Sequence, residues 1–168
     1  NKRLLYLSRR DAVHPVMFDV GQALHELQPM LRRLLPRNIV LSVDPATAAT
    51  PVFIDRGNFE LAMLNIASNA RDALPDGGHF RITTARMDDV VEIRLADDGP
   101  GIDPAILDRV FEPFFSTKPA GTGTGLGLAM SHCLVSCAKG QVALESAPGR
   151  GTVVQMRLPL AVAAVPRE

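Results

Sequence analysis

Apolar residues at Val20, Leu24, Leu27, Leu31, Leu34 and Leu35 recur at close to helical spacing and predict a helix over residues 19–35, closed by Pro36. Short apolar runs at Ile39–Val43 and Val52–Ile54 predict extended segments. Asp55 is a good N-cap and opens a second predicted helix over 56–74, which the turn Pro75-Asp76-Gly77-Gly78 ends. Alternating apolar and polar residues in Phe80–Met87 and Val90–Leu95, separated by Asp88-Asp89, predict a hairpin. After the loop 97–101 come a short predicted helix from Pro104 to about Val110, a glycine-rich stretch and a helix over 125–138 with Gly140 as its cap. Strands at Gln141–Ser146 and Thr152–Leu158 close the pattern around Pro148-Gly149-Arg150-Gly151. Helices interspersed with hairpins imply an α+β fold, a two-layer sandwich whose mixed, mostly antiparallel sheet carries three main helices on one face. The domain is expected over 19–160, with 1–18 as the tail of a preceding element and 161–168 as a C-terminal tail.

Composition narrows the classes. A chain of 168 residues suits one domain, and at that size roughly 70% of the unfolded surface is buried without staples. Eighteen basic and eighteen acidic residues cancel, which disfavours nucleic acid as a partner. The longest apolar run, Leu158–Val165, contains Pro159 and is far short of the ~20 residues that span a bilayer. Cys133 and Cys137 lie four apart in a predicted helix with no second pair, and are read as small buried core residues. The start at Asn1, without methionine or a signal-like segment, suggests a piece of a longer protein.

Three segments carry candidate chemistry. In 112–130, EPFFSTKPAGTGTGLGLAM, Gly121, Gly123, Gly125 and Gly127 alternate with Thr122, Thr124 and Leu126 ahead of a helix. Glycine lets backbone N–H groups turn toward an anion, and a helix N-terminus adds donors and positive potential; such a run equally marks a flexible turn. On the helix over 56–74, Asn65, Asn69 and Asp72 fall at i, i+4 and i+7 beside Leu61, Leu64 and Ala73. A line of polar groups is either solvent-facing or a site, and amide oxygens suit magnesium, which takes few protein ligands plus phosphates and water. Asp97 ends an apolar strand just before Gly99 and Gly101, where a carboxylate can accept from the exocyclic amine of a ring and repel a carbonyl there. DDGPG by itself is also an ordinary turn.

Taken together, NIASNARDA at 65–73, DDGPGI at 97–102, FEPFF at 111–115, GTGTGLGL at 121–128 and GTVVQMRLP at 151–159 resemble the N, G1, F and G2 boxes and closing strand of an ATP-binding module. Sensor histidine kinases, type II topoisomerases, Hsp90 chaperones and MutL repair proteins share that module, the Bergerat ATP-binding fold. The resemblance covers about residues 19–160 and is strongest to the catalytic domain of histidine kinases. It implies ATP and Mg2+ as cofactors, with Asn69 as magnesium ligand supported by Asn65 and Asp72, and Asp97 on the adenine amine with Thr152 nearby through water. It further implies Gly99, Gly101 and Ile102 along the base pocket, Phe111, Phe114 and Phe115 anchoring a lid, and Lys118 on phosphate as a catalytic point charge. Gly123, Thr124, Gly125, Leu126, Gly127 and Leu128 would supply backbone donors, and Ala73 and Thr117 complete the implied nucleotide contacts.

In the ATP-hydrolysing members a glutamate one turn before the magnesium asparagine activates water. Here that position is Asn65, and an amide is no general base. The resemblance therefore implies transfer of the γ-phosphoryl to a histidine on a dimerisation domain outside this chain, and onward to a response-regulator receiver domain. A serine protein kinase of the same superfamily, or a nucleotide-binding module without transfer, is the alternative. His25 in HELQP is rejected as acceptor, because the proline is one position early for HExxxP and no two-helix hairpin follows. His14, His79 and His132 lack any such setting and are read as surface or core residues. The domain is expected to be cytoplasmic and monomeric by itself, whether or not the parent protein is membrane-anchored.

Overall fold

The computed structural model describes residues 13–112 and 127–161. A strand at Pro15–Asp19 (β1) leads directly into helix α1, Val20–Leu34. β2 (Ile39–Asp44) and β3 (Pro51–Asp55) precede helix α2, Arg56–Ala73. β4 (Gly78–Met87) and β5 (Val90–Asp97) form the hairpin, and helix α3 (Gly127–Cys137) precedes β6 (Gln141–Ser146) and β7 (Thr152–Pro159). The main sheet has the order β2-β4-β5-β7-β6, with β2 parallel to β4 and every other pair antiparallel. β1 and β3 form a separate antiparallel ribbon. The mixed, mostly antiparallel α+β sandwich expected from the chain is the one observed.

Both long helices start on aspartate caps. Asp19 accepts from the Gln22 N–H at 2.9 Å and from the Thr50 N–H at 2.6 Å, tying α1 to the loop before β3. Asp55 accepts from Asn58 N–H at 2.9 Å and from His14 N–H at 2.9 Å, tying α2 to the residue before β1. Each bond satisfies a donor that the helix or its neighbouring loop would otherwise leave open. His25 and Pro29 lie on the solvent face of α1, away from its buried row Val20, Ala23, Leu24, Leu27 and Leu31. Besides β1, which no sequence pattern announces, two details differ from expectation. The segment after Pro104 is only a single 3-10 turn at Leu107–Arg109, begun by Asp103 accepting from Ala105 N–H at 2.9 Å. Cys133 and Cys137 are exposed rather than buried, because α3 covers itself with Ala129, Ser131 and Val135 and turns the cysteine side outward.

The core lies between the helices and one sheet face. Val91, Ile93 and Leu95 of β5, Val154, Met156 and Leu158 of β7, and Phe80 and Ile82 of β4 point inward against Phe59, Met63, Leu24 and Leu31. Phe18 of the ribbon meets Phe59 with ring centroids 5.4 Å apart at 56°, a favoured tilted geometry. The opposite face is charged: Arg157 reaches Glu92 at 3.3 Å, Arg94 reaches Glu145 at 3.5 Å and Arg81 reaches Asp44 at 3.1 Å. The exposed pairs contribute little stability, whereas Glu92 is itself buried and lies near both Arg157 and Arg94.

Candidate functional site

The inward stripe of three adjacent strands turns polar at one sheet edge. Counting by twos, Val91, Ile93 and Leu95 continue to Asp97; Val154, Met156 and Leu158 run back to Thr152; Val142 and Leu144 end at Ser146. The register sets Asp97 opposite Phe80 and Thr152, and Thr152 opposite Ser146, while Phe80 faces Leu41. One row therefore crosses the whole sheet, apolar over β2 and β4 and polar over β5, β7 and β6.

Asp97 and Asp98 are adjacent yet serve opposite ends. Asp98 is exposed and accepts from the His79 N–H at 2.8 Å, with the His79 ring nitrogen Nδ1 2.8 Å from its second oxygen, bracing the turn between α2 and β4. Those bonds from His79 hold the Asp98 carboxyl below its ordinary value. Asp97 is half-buried and accepts from Gly99 N–H at 2.9 Å. Burial pushes its carboxyl above its ordinary value, only partly countered by backbone bonds from Gly99 and Thr152. A carboxylate that burial strains and its own backbone does not fully satisfy is suited to accept from a ligand.

Helix α2 is the hub. At its C-terminal end Ala73 lies against the loop: a Cβ on Gly99 would sit 3.0 Å from the Ala73 carbonyl oxygen and 3.0 Å from an Asp97 oxygen. One turn and more upstream, Asn65 and Asn69 are half-buried where α3 begins. A Cβ on Gly127 would lie 3.2 Å from Asn65 Cβ and 3.8 Å from Asn69 Nδ2, so a side chain there would crowd the amide pair. Asp72 is exposed and lies 3.5 Å from the Arg71 guanidinium. Leu128, one residue into α3, packs against the core.

Gly101 holds φ +79 with Ala147 so close that a Cβ would run into its carbonyl oxygen, and this fixes the loop against the β6–β7 turn. Ile102 is anchored there too, its N–H donating to Ser146 Oγ at 2.8 Å. Asn65, Asn69, Asp72 and Ala73 thus lie on α2, Gly127 and Leu128 at the start of α3, Asp97 and Thr152 at one end of the sheet, and Gly99, Gly101 and Ile102 in the loop after β5. Phe111, of the expected lid anchors, packs on His132 at 5.8 Å between centroids. Phe114, Phe115, Thr117, Lys118, Gly121, Gly123, Thr124, Gly125 and Leu126 lie outside the described residues. Ser146 escaped the sequence reading, which places His79 only among surface or core residues. Only the parity of Val142, Leu144 and Ser146 carried a signal for the former, since it places a serine at an inward position.

Residues 54–162 match the family described as histidine kinase-, DNA gyrase B-, and HSP90-like ATPase. Over 94% of its length the chain is 35% identical to sensor kinase CckA of Brucella abortus and 34% identical to the two-component sensor PprA of Pseudomonas aeruginosa. It spans 18% of each of those relatives. Among solved structures, a mycobacterial sensor histidine kinase, MprB, matches with a TM-score of 0.76 and 28% identity, over 88% of this chain and 98% of that one. Full-length ShkA, solved in complex with AMPPNP, matches with a TM-score of 0.80 and 26% identity, over 99% of this chain and 36% of that one. By sequence and by fold, the chain belongs to the histidine kinase-, DNA gyrase B- and HSP90-like ATPase family.

Proposed function

We propose that the chain is the ATP-binding catalytic domain of a two-component sensor histidine kinase, which binds Mg-ATP and passes the γ-phosphoryl to a histidine on a dimerisation domain. The observation that carries this reading is the convergence on α2: Asn65 and Asn69 against Gly127 on one side, Ala73 against Gly99 and Asp97 on the other. We assign a triphosphate nucleotide to that span, with its base at Asp97 and its phosphates toward Asn69 and the start of α3.

The donor set suits magnesium. Asn69 and Asn65 offer hard, neutral oxygens, and the ion keeps the rest of its shell for phosphates and water. When bound, magnesium supplies charge neutralisation on the phosphates. The residues themselves position: Asp97 accepts from the adenine amine, Gly99 and Gly101 admit the ring and Asn69 sets the metal side, while the role at the phosphates is assigned to Lys118 and the 123–128 stretch on the resemblance alone. Phosphoryl transfer relies chiefly on such positioning and charge placement. Asn65 at the place of a hydrolytic glutamate favours delivery to another nucleophile over water. A receiver domain of a response regulator is the onward acceptor, and the domain, monomeric when isolated, works in the cytoplasm beside its histidine-bearing dimerisation domain. No helix among the described residues is long and apolar enough to cross a membrane.

Incubating the chain with γ-labelled ATP and a separately supplied histidine-bearing dimerisation domain tests the reading. Acid-labile, base-stable label on that domain is expected. Acid-stable label would make the chain a serine kinase, and no label with ATP bound would leave a binding module.

A further inference from the structure

The hydrogen bonds around Ser146 fix which way the Thr152 hydroxyl points. A serine hydroxyl has one proton to donate and two lone pairs to accept with. Ile102 N–H can only donate, and it lies 2.8 Å from Ser146 Oγ. The Gly151 carbonyl can only accept, and it lies 2.9 Å away, so it takes the serine proton. The third neighbour, Thr152 Oγ1 at 3.0 Å, must then donate to the remaining lone pair of Ser146. Thr152 has spent its only proton, and toward anything else its oxygen is an acceptor.

Thr152 faces Asp97 directly in the β5–β7 register, at a spacing where such side chains lie about 5 Å apart on one face. We infer that Ser146 is a specificity-determining positioning residue: by holding the Thr152 proton, it makes this edge of the base site present acceptors alone, the Asp97 carboxylate and the Thr152 oxygen. Such an edge takes an amine, directly or through a water that donates to Thr152, and rejects a base with a carbonyl at the same place. Two acceptors brought together repel, and no rotation of the hydroxyl relieves the clash while Ser146 holds its proton. This inference rests on the adenine-nucleotide reading of the site.

The assay compares ATP with inosine triphosphate, which replaces the 6-amine by a carbonyl, in binding titrations on the 168-residue chain. Wild type prefers ATP. In Ser146→Ala the Thr152 hydroxyl is released to donate into the site, and the preference falls about fivefold, roughly the worth of one hydrogen bond. Ser146→Thr keeps a hydroxyl and keeps the preference. A merely structural role weakens both nucleotides alike; an unchanged ratio in a folded Ser146→Ala chain therefore overturns the assignment. Should that variant not fold, Thr152→Val decides, since it leaves the Ile102 and Gly151 bonds to Ser146 in place. A reduced ratio supports the acceptor edge, and an unchanged one overturns it. Wild type that binds neither nucleotide defeats the ATP reading and this assignment together, whereas wild type that prefers ATP beside an unchanged Ser146→Ala defeats the orienting role alone.

Discussion

Asp19 and Asp97 are both half-buried carboxylates at the end of a strand, and both accept backbone N–H bonds, yet their acidities move in opposite directions. Burial pushes Asp19 up, but bonds from Thr50, Gln22 and Gly21 outweigh it and leave its carboxyl below the ordinary value. Asp55, the other cap, behaves likewise with Asn58, His14 and Gly57. At Asp97 burial wins, because Gly99 and Thr152 supply too few donors to offset it. The first region is a closed account of backbone groups joining α1 and α2 to the ribbon. The second carries a charge that its own chain leaves short of donors: the ribbon acts as scaffold, and this end of the separate main sheet is the proposed binding end.

The comparison can be broken first in the scaffold. Phe59 is fully buried against Phe18, so Phe59→Ala should cost about 3–5 kcal/mol by chemical denaturation. In whatever fraction remains folded, nucleotide selectivity should be unchanged. Next, Asn69→Ala should lower magnesium-dependent ATP affinity about 100-fold, on the scale of lost metal-site contacts, while shifting the melting temperature little. Calorimetry with and without magnesium checks it, and an unaltered affinity removes Asn69 from the metal. Asp97→Asn should weaken ATP about tenfold, the scale of a charge-assisted hydrogen bond, and relax discrimination against GTP in competition. Asp19→Ala should cost about 1 kcal/mol, as for other helix caps, with ATP affinity intact.

Acid separates the two carboxylates by sign. Asp19 and Asp55 have folded values below the unfolded one, so their stabilisation is full above about pH 4 and fades as pH falls through the lower folded values. Asp97 has a raised folded value, so its ionisation opposes folding at neutral pH and protonation relieves that opposition as pH falls. ATP binding, which needs the ionised acceptor, should accordingly weaken at a higher pH than the one at which the caps begin to fail. A pH series of binding and of melting on the same protein shows whether the two losses separate in that order.

Much of this was legible in the chain. The hairpin β4–β5, the capped α2 and the closing strands follow from alternation and from Asp55, and the polar line Asn65, Asn69, Asp72 stands out against the apolar residues beside it. That Asp97 and not Asp98 turns inward follows from parity with Val91, Ile93 and Leu95. Other features depend on distant partners. β1 is a five-residue strand opening on proline, and it exists because β3 offers it a ladder from Pro51 to Asp55. β2 reads as an extended run, but nothing local states that it lies parallel to β4. The cysteines looked buried because α3 is apolar nearly all round, and only its packing decides which side is covered. The meeting of Gly127 with Asn65 joins residues 62 positions apart and became an expectation only through the resemblance of whole motifs.

One end of the main sheet, together with α2, is the proposed site for Mg-ATP. Calorimetric titration of the chain with ATP, with ATP plus a magnesium chelator, and with GTP tests it most directly. Saturable one-site binding of ATP that weakens sharply on chelation, with GTP distinctly weaker, is expected; equal binding of ATP and GTP, or no binding of ATP at all, would rule the site out.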